Sequence, residues 1–207
     1  MRAMNRPTLS RLATISLVAS ALAFGIACSA SADAVVGEKA PAFTLEDLDG
    51  HQHSLADSRG KVVVLEWINP NCPYSRRHAE EKTMIHLHDQ HPNVVWLAIN
   101  STNPDHRDHL TADEHKAYDA KEGIDYPVLV DPTGDVAHAY GAKATPHMFV
   151  IDEAGTLIYD GAIDDDPYGR KDPAQRTDYV AEALAAHAAG KPVDPATTKP
   201  YGCSIKY

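Results

Sequence analysis

The run Lys61-Val62-Val63-Val64-Leu65-Glu66-Trp67-Ile68 constrains this 207-residue chain more than any other feature. A continuous β-branched and apolar stretch, without polar alternation, is the pattern of a strand covered on both faces. It predicts the centre of a parallel sheet with helices packed on each side. Shortly after it, Cys72 is followed by Pro73, a residue suited to the first turn of a helix. The buried strand ends and a helix begins at a cysteine.

The remaining segments extend the same alternation of strands and helices. Ala40 to Leu45, the turn signal Asp49-Gly50 and Ser54-Leu55 read as an N-terminal hairpin or edge strand. From Cys72 to about Gln90 the residues favour one helix, with Met84, Ile85, Leu87 and His88 on its inner face. Residues 93–100 return to strand, 112–121 to helix with Gly123 as its stop, and 127–130 to strand. A turn at Asp131-Pro132-Thr133-Gly134 leads into a short helix over 135–140. Residues 148–151 and 157–159 form a hairpin, and an acidic loop, Asp164-Asp165-Asp166, precedes a helix over 173–189. The end of the chain, with Pro195 and Pro200, reads as an extended tail. The whole predicts an α/β domain with a central mixed sheet flanked by helices.

Residues 1–32 have the composition of a secretory leader. Arg2, Arg6 and Arg11 precede an apolar, acid-free run from Leu12 to Ala27, and Ala30-Ser31-Ala32 supplies an A-x-A cleavage pattern. The expected organisation is a signal peptide over 1–32, a single domain over 33–192 and a tail over 193–207. The protein is then exported, to a periplasmic or extracellular compartment. Contact with a membrane is expected only if Cys28 is lipidated, and Gly25-Ile26-Ala27 before it departs from the lipoprotein pattern.

The chain carries a net charge of −10, and its leader holds three arginines but none of the 29 acids. Nucleic acids and anionic membrane surfaces are therefore excluded as natural partners. Beyond the leader there are just two cysteines, Cys72 and Cys203. A helix N-terminus favours thiolate over thiol, and the thiolate is the nucleophile of disulfide exchange.

Asn71-Cys72-Pro73-Tyr74-Ser75 resembles the active-site run of thioredoxin-fold redox proteins, close to the CPYC of glutaredoxins with Ser75 in place of the second cysteine. Gly37-Glu38-Lys39-Ala40-Pro41-Ala42-Phe43-Thr44-Leu45, the stretch from Tyr140-Gly141 through Tyr159 to Asp165, and the terminal Gly202-Cys203-Ser204 are similar to redoxins of the alkyl-hydroperoxide-reductase/TlpA-like branch. The resemblance implies a thioredoxin fold and a thiol-disulfide oxidoreductase that needs no cofactor or metal. Its partners would be a protein or small-molecule thiol or disulfide and an external reductant. It assigns Cys72 as nucleophile, Glu66 as a buried acid able to accept or relay the thiol proton, and Thr145-Pro146 as a cis-proline loop facing the thiol. The Thr145 backbone would pair with a bound substrate chain.

Ser75 cannot resolve a mixed disulfide, so Cys203 is the candidate resolving thiol. A permanent Cys72–Cys203 staple, or a Cys203 that stays free or pairs between molecules, fits the composition as well. Three rival functions also remain open. A peroxidase would require P-x-x-x-[ST]-x-x-C, but Leu65 and Asn69 hold the two activating positions. A copper- or zinc-handling protein would use Cys72 with His147, or a cluster of His86, His88 and His91. A non-turnover client-binding protein would keep the fold and hold its partner through a slow thiol.

Overall fold

The computed structural model describes residues 33–207, so the segment expected to be a leader, Cys28 included, lies outside the described residues. Seven strands form one mixed sheet: β1 (Thr44–Asp47), β2 (Gln52–Ser54), β3 (Val63–Trp67), β4 (Val95–Asn100), β5 (Val128–Val130), β7 (His147–Ile151) and β8 (Leu157–Gly161). They lie side by side in the order β2-β1-β5-β4-β3-β7-β8. The intervening β6 (Ala144–Thr145) pairs separately with β9 (Cys203–Ser204) near the end of the chain. Strands β3, β4 and β5 run parallel, and β7 and β8 close one side antiparallel.

Every residue of β3 is buried, as its apolar run predicts. Val64 and Ile68 enter one core layer with Met84, Leu87, Val180 and Leu184. Val63, Leu65 and Trp67 enter the opposite layer with Ala137, Tyr140 and Phe149. Burying each such aliphatic side chain contributes roughly 1.5–3 kcal/mol, which makes this strand a rigid support for whatever follows it.

Helices α1 (Pro73–Glu80), α2 (Thr83–Gln90), α3 (Ala112–Glu122), α4 (Asp135–Tyr140) and α5 (Tyr179–Ala188) cover the sheet. Thr111 and Glu114 form a reciprocal capping box at the start of α3, and Gly123 ends it in the left-handed conformation its lack of a β-carbon allows. Two predicted helices differ from those observed. The segment 72–90 is two helices because Lys82 adopts a left-handed φ of 60°, which re-aims α2. Met84 and Leu87 then reach the core, while Ile85 and His88 are only half-buried. The last helix starts later than predicted, at Tyr179. Asp178 caps it by accepting the amide of Ala181, and Pro173–Gln175 is a separate short turn.

Candidate active site

The sharp loop between β3 and α1 presents Cys72. Its amide donates to the Asn69 carbonyl at 2.9 Å, while the Asn69 side chain accepts the amide of Asn71 at 2.7 Å and donates to Thr102 Oγ1 at 2.8 Å. Cys72 is the N-cap of α1 and Pro73 is the first helical residue. The thiol is 3% exposed and donates to the Thr145 carbonyl at 3.0 Å. Ser75 is buried below it, its hydroxyl accepting the Asn69 amide.

The Thr145–Pro146 bond is cis, and the strand edge before it is occupied by the protein's own tail. Thr145 and Cys203 are opposite one another in the antiparallel β6–β9 pair. Cys72 and Cys203 line the same cleft, and both cysteines are free. Burial opposes ionisation of Cys72. Hydrogen bonding from the side chains of Cys203 and Thr145, and then from the Ser75 and Cys203 backbone, more than offsets that opposition, so its pKa falls below the usual thiol range. Cys203 is pushed up to about 12, by burial and by the same shared bond. The pair is therefore asymmetric: Cys72 ionises first and Cys203 donates to it.

Glu66 lies on β3 and is 6% exposed. Burial raises its pKa to about 7 although Tyr126 donates to it at 3.2 Å. Its carboxylate faces a narrow cavity that Ser75 also lines, and its hydrogen-bond partner is Tyr126.

His147 is not a partner of the thiol. Its Nε2 lies 2.7 Å from Asp160, and its Nδ1 accepts the Lys143 amide at 3.1 Å, so both nitrogens are engaged away from Cys72. The three histidines of α2 and its end do not converge either. Among the described residues, His88 instead groups with Asp89 and Asp125, away from Cys72.

The acidic loop takes on a structural role that its composition does not reveal. Asp164 and Asp166 are 1% and 3% exposed, enclosed by arginines from two directions. Arg176 approaches Asp164 at 3.5 Å and Asp166 at 3.4 Å, and Arg77 of α1 lies within 4.0 Å of both. Into this cluster the tail inserts Tyr201, whose hydroxyl donates to Asp164 and lies 2.9 Å from His78 Nε2 and 3.2 Å from Arg77 Nη2. Burial, Arg77 and Arg176 hold His78 neutral, with its pKa lowered to about 3. Tyr201 thus locks the tail to the helix that begins at Cys72.

Other tail residues complete the attachment. Thr198 accepts the Ala162 amide at 2.8 Å, the Lys206 carbonyl accepts the Asn103 amide at 2.6 Å, and Tyr207 stacks on His138 at 4.0 Å. Gly202 has a φ of +137°, and a β-carbon there would collide with the Thr145 carbonyl. The sequence analysis did not single out Tyr201, Arg77 or His78, and it named Gly202 only within the terminal Gly-Cys-Ser run. The only signal was the placement of Tyr201-Gly202 directly before a candidate resolving cysteine.

A model of the AhpC/TSA family matches residues 36–160. The thiol-disulfide oxidoreductase ResA of Halalkalibacterium halodurans is 27% identical over 151 residues, covering 72% of this chain and 82% of that protein. The ResA of Geobacillus thermodenitrificans is 31% identical over 122 residues, 59% of this chain and 66% of that protein. A solved structure of a conserved protein from Geobacillus kaustophilus superposes with a TM-score of 0.75 at 28% identity, covering 84% of this chain and 92% of its own.

Proposed function

We propose that this chain, which belongs to the AhpC/TSA family, exchanges thiols and disulfides with Cys72 as the attacking sulfur and Cys203 as the resolving one. It is a thiol-disulfide oxidoreductase, the activity for which its ResA relatives are named. The observation that carries the two-cysteine reading is the Thr145–Cys203 pairing, which sets Cys203 beside Cys72 in one cleft.

The chemistry follows from that placement. The Cys72 thiolate attacks one sulfur of a substrate disulfide, forming a mixed disulfide and expelling the other half as a thiolate that takes up a proton. Cys203 then loses its proton and attacks Cys72, which expels the second half of the substrate. Two protein thiols are oxidised to one disulfide, and one substrate disulfide becomes two thiols. An external thiol reductant restores the starting state. Glu66, poised near neutrality, serves this cycle as a proton acceptor or reservoir under the strand end. Residues 1–32 suit export of the chain to a periplasmic or extracellular site.

Trapping tests this reading. Cys72→Ser abolishes turnover. Cys203→Ser completes the first attack and accumulates a Cys72 mixed disulfide that retains half of the substrate. Unimpaired turnover in Cys203→Ser contradicts the assignment of Cys203.

A further inference from the structure

We propose that the polar cleft beside Cys72 binds a small disulfide whose free ends carry carboxylates. The inference rests on the two-cysteine chemistry above and names its substrate class.

The strand edge that an extended polypeptide would use is already occupied. Cys203 pairs with Thr145, and Gly202 lies too close to the Thr145 carbonyl for anything to be inserted between them. A polypeptide substrate must displace β9, which removes the resolving thiol from the reaction it has to finish. A small molecule need not, because an approach to the sulfurs remains open.

That approach is a cleft of about 260 Å³ reaching both Cys72 and Cys203, and its walls include Asn71, Thr102, Arg107, Asp108, Ser204 and Lys206. The volume falls just below the usual range for small-molecule sites, which suits a compact ligand or one half of a symmetric disulfide. The lining is polar, unlike the narrow apolar cavity around Glu66.

The charge of the cleft opposes that of the chain. The whole protein is at −10, yet Arg107 and Lys206 both face this opening. Asp108, the one acid in the wall, lies 3.6 Å from Arg107 Nε and offsets one of these two cations, which leaves the wall with a net positive charge. Among the described residues Lys206 has no carboxylate partner, and its Nζ donates only to Ser204 Oγ at 3.3 Å. Arg107 is exposed and keeps its outer donors free to take a carboxylate bidentately. Cations at the mouth of a cleft in an acidic protein concentrate anions there.

In the reaction, the Cys72 thiolate attacks the near sulfur of the bound disulfide, and the far half leaves as an anionic thiolate that is protonated in solvent. Cys203 releases the near half by the same displacement. The small disulfide is the oxidant of the protein dithiol, and two small thiols are the products.

Three symmetric disulfides of similar size separate charge from shape: 3,3′-dithiodipropionate (anionic), 2-hydroxyethyl disulfide (neutral) and cystamine (cationic). Each rate on the full chain is normalised to its rate with free cysteine. We expect dithiodipropionate to be preferred over cystamine, and the Arg107→Glu, Lys206→Glu double variant to lower the ratio of their kcat/KM values by about tenfold or more. Arg107→Ala alone lowers it less. The ratio serves as its own control, since a misfolded variant loses both substrates together. An unchanged ratio, or insulin disulfides reduced faster than dithiodipropionate, overturns the substrate class. If all three probes yield the Cys72–Cys203 bond without charge preference, this inference fails and the two-cysteine reading stands. If none yields that bond, both fail.

Discussion

Cys203 lies opposite Thr145 in a two-residue antiparallel pairing, so the tail strand occupies the edge beside Pro146 and sets its own thiol against Cys72. The pairing depends on the residue just before it. A side chain at 202 would both force a left-handed φ on an L-residue and strike the Thr145 carbonyl. Gly202→Ala should displace β9, leave Cys72 able to form a mixed disulfide, and slow formation of the internal bond by at least about tenfold, since geometry alone can change effective concentration by more than that. Quenched-flow alkylation, which separates the two steps, measures both rates.

Tyr201→Phe should loosen the tail without unfolding the domain. The hydroxyl serves Asp164, His78 and Arg77 at once, and removing one partner from a buried polar cluster costs about 1–3 kcal/mol. Hydrogen exchange of the β9 amides should accelerate in this variant, while the amides of β3 and β4 keep their protection.

The two thiols should also report on each other's ionisation. The Cys203 thiol stabilises the Cys72 thiolate by donating to it, so Cys203→Ala should raise the pH midpoint of Cys72 alkylation. Cys203→Ser keeps a hydroxyl donor and should leave the midpoint closer to that of the native protein. Equal midpoints in all three proteins would count against the contact.

Glu66 sets a pH dependence of stability. Its folded pKa, about 7, lies above its ordinary 4.5, so between those values the native state binds more protons than the unfolded one. The stability gained from the neutral, buried carboxyl is complete below pH 4.5 and is lost as pH rises through 7, amounting to roughly 3 kcal/mol at the upper end. Urea denaturation from pH 5 to 8 should show this decline, and Glu66→Gln should flatten it.

Much of the scaffold was legible because local signals agreed with the tertiary structure. The apolar, β-branched run of β3, interrupted only by Glu66, pointed to a doubly covered strand, Gly123 ended α3, and Cys72-Pro73 began α1. The break in the helix region 72–90 was not legible, because a lysine at 82 has no intrinsic preference for the left-handed conformation it adopts. The role of the acidic loop was hidden for a different reason. Three successive aspartates mark only an acidic loop, and the fold alone brings Arg77 and Arg176, distant in sequence, to enclose Asp164 and Asp166. Tyr201 escaped notice because its partners come from α1 and that loop, a convergence no local pattern encodes. His147 misled by proximity in sequence to Pro146, yet the strand directs its ring to Asp160.

The central claim is that one catalytic event links Cys72 to Cys203 within a single chain. Peptide mapping by mass spectrometry after a single equivalent of disulfide substrate tests it most directly. The account predicts a peptide pair joined through Cys72 and Cys203, lighter by two hydrogens than the two free thiol peptides and reopened by mild reductant. Cys72 found only in a mixed disulfide with substrate, or Cys203 found linked to Cys203 of another molecule, would contradict it.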